Sequence, residues 1–213
     1  MDNLKQALIG YFEQWPAQTD VEAQQLSLAI SAMKEISQSQ PVTPQVLPAV
    51  ERWLMPAVDP KNNTEDYCRP LLNVLKTHYQ ELNWTVANKS YVGAQYTNNS
   101  GYTQLMGKPV RNREGVIFPH DSVAAGFLLI GPNVFYPPHH HKAHEFYGVL
   151  TGRAEWQKGS TPPRFESAGA RIFHESMVVH ATKTHDEPML AVWIWTGELS
   201  RPIGQPADSW LTT

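Results

Sequence analysis

The sequence predicts an α+β chain in which a helical N-terminal region precedes an antiparallel β domain, and three observations carry that prediction. Apolar residues recur at helical spacing through roughly the first eighty positions. From about Trp84 the texture changes to short runs rich in Val, Ile, Tyr and Phe, broken by N-N-S-G, G-K-P, G-P-N, K-G-S-T-P-P and E-S-A-G. That is the rhythm of strands and turns. The length of 213 residues suits one large domain, or one domain with a helical appendage, whose core needs no disulfide.

Leu4, Ala7, Leu8, Tyr11, Phe12 and Trp15 make one face of a first helix, which Pro16 interrupts. A second helix opens near Asp20 on the stripe Ala23, Leu26, Ile30, Met33 and Ile36, and fades into S-Q-S-Q before Pro41. Thr43 followed by Pro44 reads as an N-cap with proline at the first helical position, leading into Val46, Leu47, Val50 and Leu54. Pro48 shortens or kinks that third helix. The segment D-P-K-N-N-T at residues 59–64 has turn composition, and a fourth helix then carries Leu71, Leu72, Val74, Leu75, Tyr79 and Leu82. We therefore expect residues 1–85 to form a helical extension that packs on a β domain spanning residues 86–213.

Composition excludes several functions. Net charge is -3, and the 17 Lys and Arg are scattered without a run, so no nucleic-acid partner is expected. The single Cys68 allows no internal disulfide, and M-D-N-L-K-Q-A-L lacks the basic-then-apolar pattern of a secretion signal. The richest apolar run, Met189 to Trp195, is seven residues long, against the roughly 18 that a membrane helix requires. A soluble, cytoplasmic protein with no membrane partner is the expectation, and Cys68 reads as core filler.

Chemistry concentrates between Tyr136 and Gly152, in Y-P-P-H-H-H-K-A-H-E-F-Y-G-V-L-T-G. Strand-like V-F-Y precedes the histidines and F-Y-G-V-L follows Glu145, which places the cluster on two neighbouring strands. Residues two apart on an extended backbone share a face. His139 and His141 can thus converge, and Glu145 and Tyr147 can do so from the next segment. Imidazole and carboxylate together suit a divalent metal such as zinc, iron, manganese or nickel. Three adjacent histidines alone read as a solvated loop; the carboxylate at fixed spacing argues for a site.

His180, in E-S-M-V-V-H-A-T, supplies the second half. His174 lies six residues before it and competes as a ligand, ranked below. His140 should point away from its neighbours, His144 is a weaker candidate, and His78, His120 and His185 read as isolated or exposed. In L-A-V-W-I-W, Trp193 and Trp195 fall on the same side of a strand, either inside the β domain or against the helices.

Gly131, His139, His141, Glu145 and Gly152, followed by Gly169 and His180, resemble the two motifs of the cupin superfamily. The gap from Gly131 to His139 is longer than usual, and the customary proline before the last histidine is missing. The resemblance covers roughly residues 90 to 200 and implies a double-stranded β-helix, or jelly-roll, barrel with a metal inside. More narrowly, Y-P-P-H-H-H, E-F-Y-G-V-L-T-G and H-A-T-K-T-H-D-E-P-M-L-A-V-W-I-W-T-G-E-L are similar to the dimethylsulfoniopropionate lyases, cupins that carry a helical N-terminal extension.

That likeness implies His141, Glu145 and His180 as metal ligands, with His139 as a ligand or close beside them. It implies Tyr147 as a further ligand or a base, Tyr136 as a candidate base, and Trp195 as a wall of the substrate pocket. The implied reaction is a β-elimination of a small carboxylate to acrylate and dimethyl sulfide, in which Trp195 or Trp193 can hold the sulfonium by cation–π attraction. It also implies a homodimer. Cupin barrels host many chemistries, so a sugar isomerase, a dioxygenase and a carboxylate-binding barrel remain alternatives. The tyrosines separate them, because a binder needs no base.

Overall fold

A computed structural model describes residues 1–59, 64–87, 89–109, 116–200 and 203–204. Helix α1 (Asp2–Glu13) buries Leu4, Leu8, Tyr11 and Phe12 and ends ahead of Pro16, as the spacing predicts. Helix α2 (Asp20–Glu35) starts where Thr19, in extended conformation, accepts from the Glu22 amide through its side chain. That bond satisfies one of the orphan donors of the first turn. The third helix departs from expectation. Helix α3 (Pro48–Ala57) begins with Leu47 as its N-cap, and Pro48 opens rather than interrupts it. Proline disfavours helical conformation in the residue before it, so Pro48 holds Leu47 extended, and Gln45, ahead of it, forms a bridge with Asn83. Helix α4 (Arg69–His78) buries Leu71, Leu72 and Leu75, as expected.

Strand β1 (Trp84–Thr85) is followed by an element that the sequence reading lacks, α5 (Lys89–Asn99), kinked at Gly93 with φ of 76°. Its aromatic and polar residues show no continuous apolar face, which is why its composition reads as strand and turn. The chain then continues through β2 (Ser100–Gly107), β3 (Val123–Ile130), β4 (Phe135–His140), β5 (Ala143–Thr151) and β6 (Arg153–Lys158). It closes with β7 (Arg164–Ser167), β8 (Arg171–His174), β9 (His180–Thr184), β10 (Met189–Gly197) and β11 (Ile203–Gly204).

These strands form two sheets, ordered β1-β2-β3-β10-β5-β8 and β11-β4-β9-β6-β7, and every named pairing is antiparallel. From β3 to β6 the chain crosses between the sheets at each step, and it does so again from β8 through β10. This is the jelly-roll, double-stranded β-helix arrangement of a cupin barrel, preceded by helices.

The larger sheet has two apolar faces because its strands alternate. In β10, Leu190, Val192 and Ile194 join the cluster that holds Leu4, Leu8, Phe12, Met33 and Leu54 from the helices. Ala191, Trp193 and Trp195 join a second cluster with Tyr136, Ala154 and Trp156 from the opposing sheet. Gly148 on β5 shows how closely α1 lies on the outer face: an added Cβ would collide with the Tyr11 hydroxyl.

Candidate metal centre

Three imidazoles are fixed the same way. His139 Nδ1 lies 2.9 Å from Pro137 O, His141 Nδ1 2.9 Å from Ala143 O, and His180 Nδ1 2.9 Å from Val178 O. A carbonyl only accepts, so each Nδ1 carries the proton and each Nε2 presents a lone pair. Met177, at φ of 65°, donates its amide to His141 O at 2.8 Å and ties the β8–β9 turn to that residue.

The lone pairs of His141 and His180 meet one carboxylate. His141 Nε2 and His180 Nε2 each lie 3.1 Å from Glu145 Oε2, and all three side chains are buried. With the protons on Nδ1, neither nitrogen can donate to that oxygen, and His180 Nε2 has no hydrogen-bond partner among the described residues. Donor atoms of His141, Glu145 and His180 all fall within 4.8 Å of one another. Two nitrogens and an oxygen, electron-rich and facing inward without a shared proton, fit a divalent first-row transition metal.

Electrostatics agree with that donor set. Burial alone would raise the Glu145 carboxyl, but the imidazoles gathered around it, His141 foremost, hold it well below the usual carboxylate range. It is therefore ionised. Burial, reinforced by His180, keeps the His139 imidazole well below its ordinary value and hence neutral.

His139, expected among the ligands, stands beside this trio. Its ring centroid is 4.2 Å from His180 but 6.4 Å from His141. The β4–β9 register shifts between Tyr136 and His139, and His141 lies past the end of β4. His140 is buried, and His144 stacks on Phe173 with centroids 5.8 Å apart. His174 is fully buried against His180, with ring centroids 4.1 Å apart.

Glu145 also floors a cavity of about 40 Å³ lined by Tyr96, Tyr102, Leu128, Tyr136, Tyr147, Trp193 and Trp195. Both expected tyrosines and both expected tryptophans are in that wall. Trp195 has a second contact, donating Nε1–H to Glu145 Oε1 at 2.5 Å. The Tyr136 hydroxyl is 3.3 Å from that of Tyr91, and its ring is 4.2 Å from His139. Sequence reasoning misses Tyr91, Tyr96 and Tyr102. The first two ride on α5, and the one available signal was their spacing of five, shortly before β2.

Residues 21–191 match the model of the dimethylsulfoniopropionate lyase family. The chain belongs to that family. Over 110 residues it is 36% identical to dimethylsulfoniopropionate lyase DddQ of Ruegeria pomeroyi, a match covering 52% of each chain. The matched segment thus spans about half the length of that curated relative. Along the whole fold, the crystal structure of the DMSP lyase DddQ from Ruegeria pomeroyi superposes with a TM-score of 0.74 at 27% identity, covering 98% of this chain and 99% of the other. A structure from work on the DMSP lyases RdDddP and RnDddQII gives the same TM-score of 0.74 at 21% identity, over 96% and 97% of the two chains. The latter likeness is one of fold. Among the described residues, no helix of this family member is long and apolar enough to cross a membrane.

Proposed function

We propose that this protein is a metal-dependent carbon–sulfur lyase that splits dimethylsulfoniopropionate into acrylate and dimethyl sulfide. The observation that carries the reading is Glu145, shared by the inward-facing His141–Glu145–His180 trio and by an aromatic pocket containing two tyrosines and two tryptophans. The family match and the 36% identity to a dimethylsulfoniopropionate lyase support the substrate.

His141, Glu145 and His180 would hold the metal, with His139 alongside. When bound, such an ion supplies positive charge that draws in the substrate carboxylate, acidifies the neighbouring C–H and favours phenolate over phenol in a nearby tyrosine. Zinc, iron, manganese and nickel all suit the donors.

The chain's residues do the rest. Tyr147, two residues from Glu145 on β5, or Tyr136, in the wall of the same cavity, takes the α-proton on its phenolate oxygen. The C–H electron pair becomes the new C=C bond, and the C–S bond breaks with its pair staying on sulfur. Dimethyl sulfide leaves neutral. The faces of Trp193 and Trp195 hold the sulfonium before it departs, an attraction worth about 0.5 to 2 kcal/mol.

Metal-replete protein should release acrylate and dimethyl sulfide in equal amounts from dimethylsulfoniopropionate. No release above background with any of the four metals, alongside turnover of another carboxylate or a sugar in the same panel, would replace this substrate.

A further inference from the structure

His174 belongs to neither the ligand trio nor the wall of the aromatic pocket. It lies directly across from Glu145 in the β5–β8 register, just as Trp195 lies across from Glu145 in the β10–β5 register. Directly opposed residues of an antiparallel pair project to the same face. His174 Nδ1 is accordingly 3.6 Å from Glu145 Oε2, a few tenths of an ångström beyond hydrogen-bond length. Its ring is fully buried, and among the described residues neither of its nitrogens has a hydrogen-bond partner. Core packing alone gives no reason for this residue type, since burying two unpaired polar atoms is costly where a phenyl ring would fill the same space. A role as ligand is not indicated either, because the group of mutually close donor atoms comprises His141, Glu145 and His180.

We propose that His174 is a positioning residue for the metal carboxylate: its Nδ1–H holds Glu145 Oε2 while the indole N–H of Trp195 holds Oε1. The two donors come from the two strands flanking β5, so the carboxylate is gripped from both sides and its orientation is set before an ion arrives. Oε2 faces His141 and His180 at 3.1 Å each and keeps a lone pair directed to the trio. Supports of this kind are ordinarily worth 10–100-fold in metal affinity.

The inference rests on the metal reading of the site, so its test is metal binding rather than turnover. Cobalt(II) is titrated into metal-free protein, following affinity against a competing chelator and the visible ligand-field spectrum. In His174→Phe, which keeps the ring stacked on His180 but lacks the N–H, affinity should fall about 10–100-fold. The stoichiometry should stay at one ion and the spectrum should change. In His174→Asn, whose side-chain N–H occupies the place of Nδ1, affinity should return to within a few-fold of the original.

Equal affinity in His174→Phe and the unaltered chain overturns the proposal, as does a folded His174→Asn that binds as weakly as His174→Phe. A folded His174→Phe that takes up no cobalt even at saturation also overturns it, because His174 would then be a ligand. Should His174→Phe fail to fold, His174→Asn decides alone: binding within a few-fold upholds the proposal and weaker binding overturns it. No cobalt bound by the unaltered chain removes the metal reading itself, and this one with it.

Discussion

The two faces of the six-stranded sheet share their strands and differ in almost everything else. Toward the helices, β3, β5 and β10 present Phe127, Leu129, Phe146, Leu150, Leu190, Val192 and Ile194. Toward the opposing sheet, β5 and β10 present Glu145, Tyr147, Ala191, Trp193 and Trp195. The outward set carries no side-chain hydrogen-bonding atom. Most of the inward set does, and each such atom must find a partner or an ion. The alternation of a strand is thus enough to separate what stabilises this molecule from what makes it reactive, residue by residue along one segment. Substitutions on the two faces should fail in different ways.

The largest effects belong to the inward face. Glu145→Ala or His180→Ala should abolish metal uptake and reduce turnover by more than about 100-fold, since even residues that merely support ligands are worth 10–100-fold. Circular dichroism should stay that of the parent, and elemental analysis should fall from about one ion per chain toward zero. Parental metal content in both variants would sink the site. Next come the phenols: Tyr147→Phe or Tyr136→Phe should lower kcat by about 10²–10⁴-fold, the usual contribution of a positioned base, while bound metal stays constant. Whichever of the two shows that split is the base, and unchanged rates in both remove the tyrosine mechanism.

The outward face should show the opposite pattern. Phe146 is fully buried, edge-on to Trp15 at 5.4 Å and tilted on Phe173 at 4.8 Å. Phe146→Ala should cost about 3–5 kcal/mol of stability, read as a lowered denaturation midpoint, with metal stoichiometry unchanged in the fraction that remains folded. Loss of metal from folded Phe146→Ala would show that the two faces are not independent.

How much of this was legible in the sequence depends on how far apart the partners lie. Helices α1 and α2 follow from local period, and the alternation of L-A-V-W-I-W correctly puts Trp193 and Trp195 on one side. The spacing from His141 to Glu145, with His180 behind it, survives as the trio. What was not legible depends on register between distant segments. Nothing near Glu145 in the chain announces that Trp195, 50 positions later, donates to it, or that His174 faces it from the other side. His139 shows a related limit, because its place beside the trio depends on the β4–β9 pairing, whose register shifts between Tyr136 and His139, and not on alternation along one strand alone. Prolines gave the last error: Pro44 and Pro48 both qualify as helix openers, and only the bridge from Gln45 to Asn83 decides for the second.

The smallest expected effect tests the quiet side of the comparison. Cys68 belongs to the outward, helix-facing cluster, where it is fully buried. Burial pushes its thiol up to about 11, against the lowering influence of Thr64 and Arg171. At pH 7 a thiol of that kind is ionised about once in ten thousand molecules, and only the thiolate is nucleophilic. Iodoacetamide should therefore leave the folded protein essentially unlabelled at pH 7. Labelling should rise about tenfold per pH unit toward 11, because deprotonation is what limits it, and should become fast at neutral pH once denaturant exposes the side chain. Rapid labelling of the native chain would mean that the helical layer opens readily over the sheet, and that the outward face is less settled than its uniformly aliphatic and aromatic packing implies.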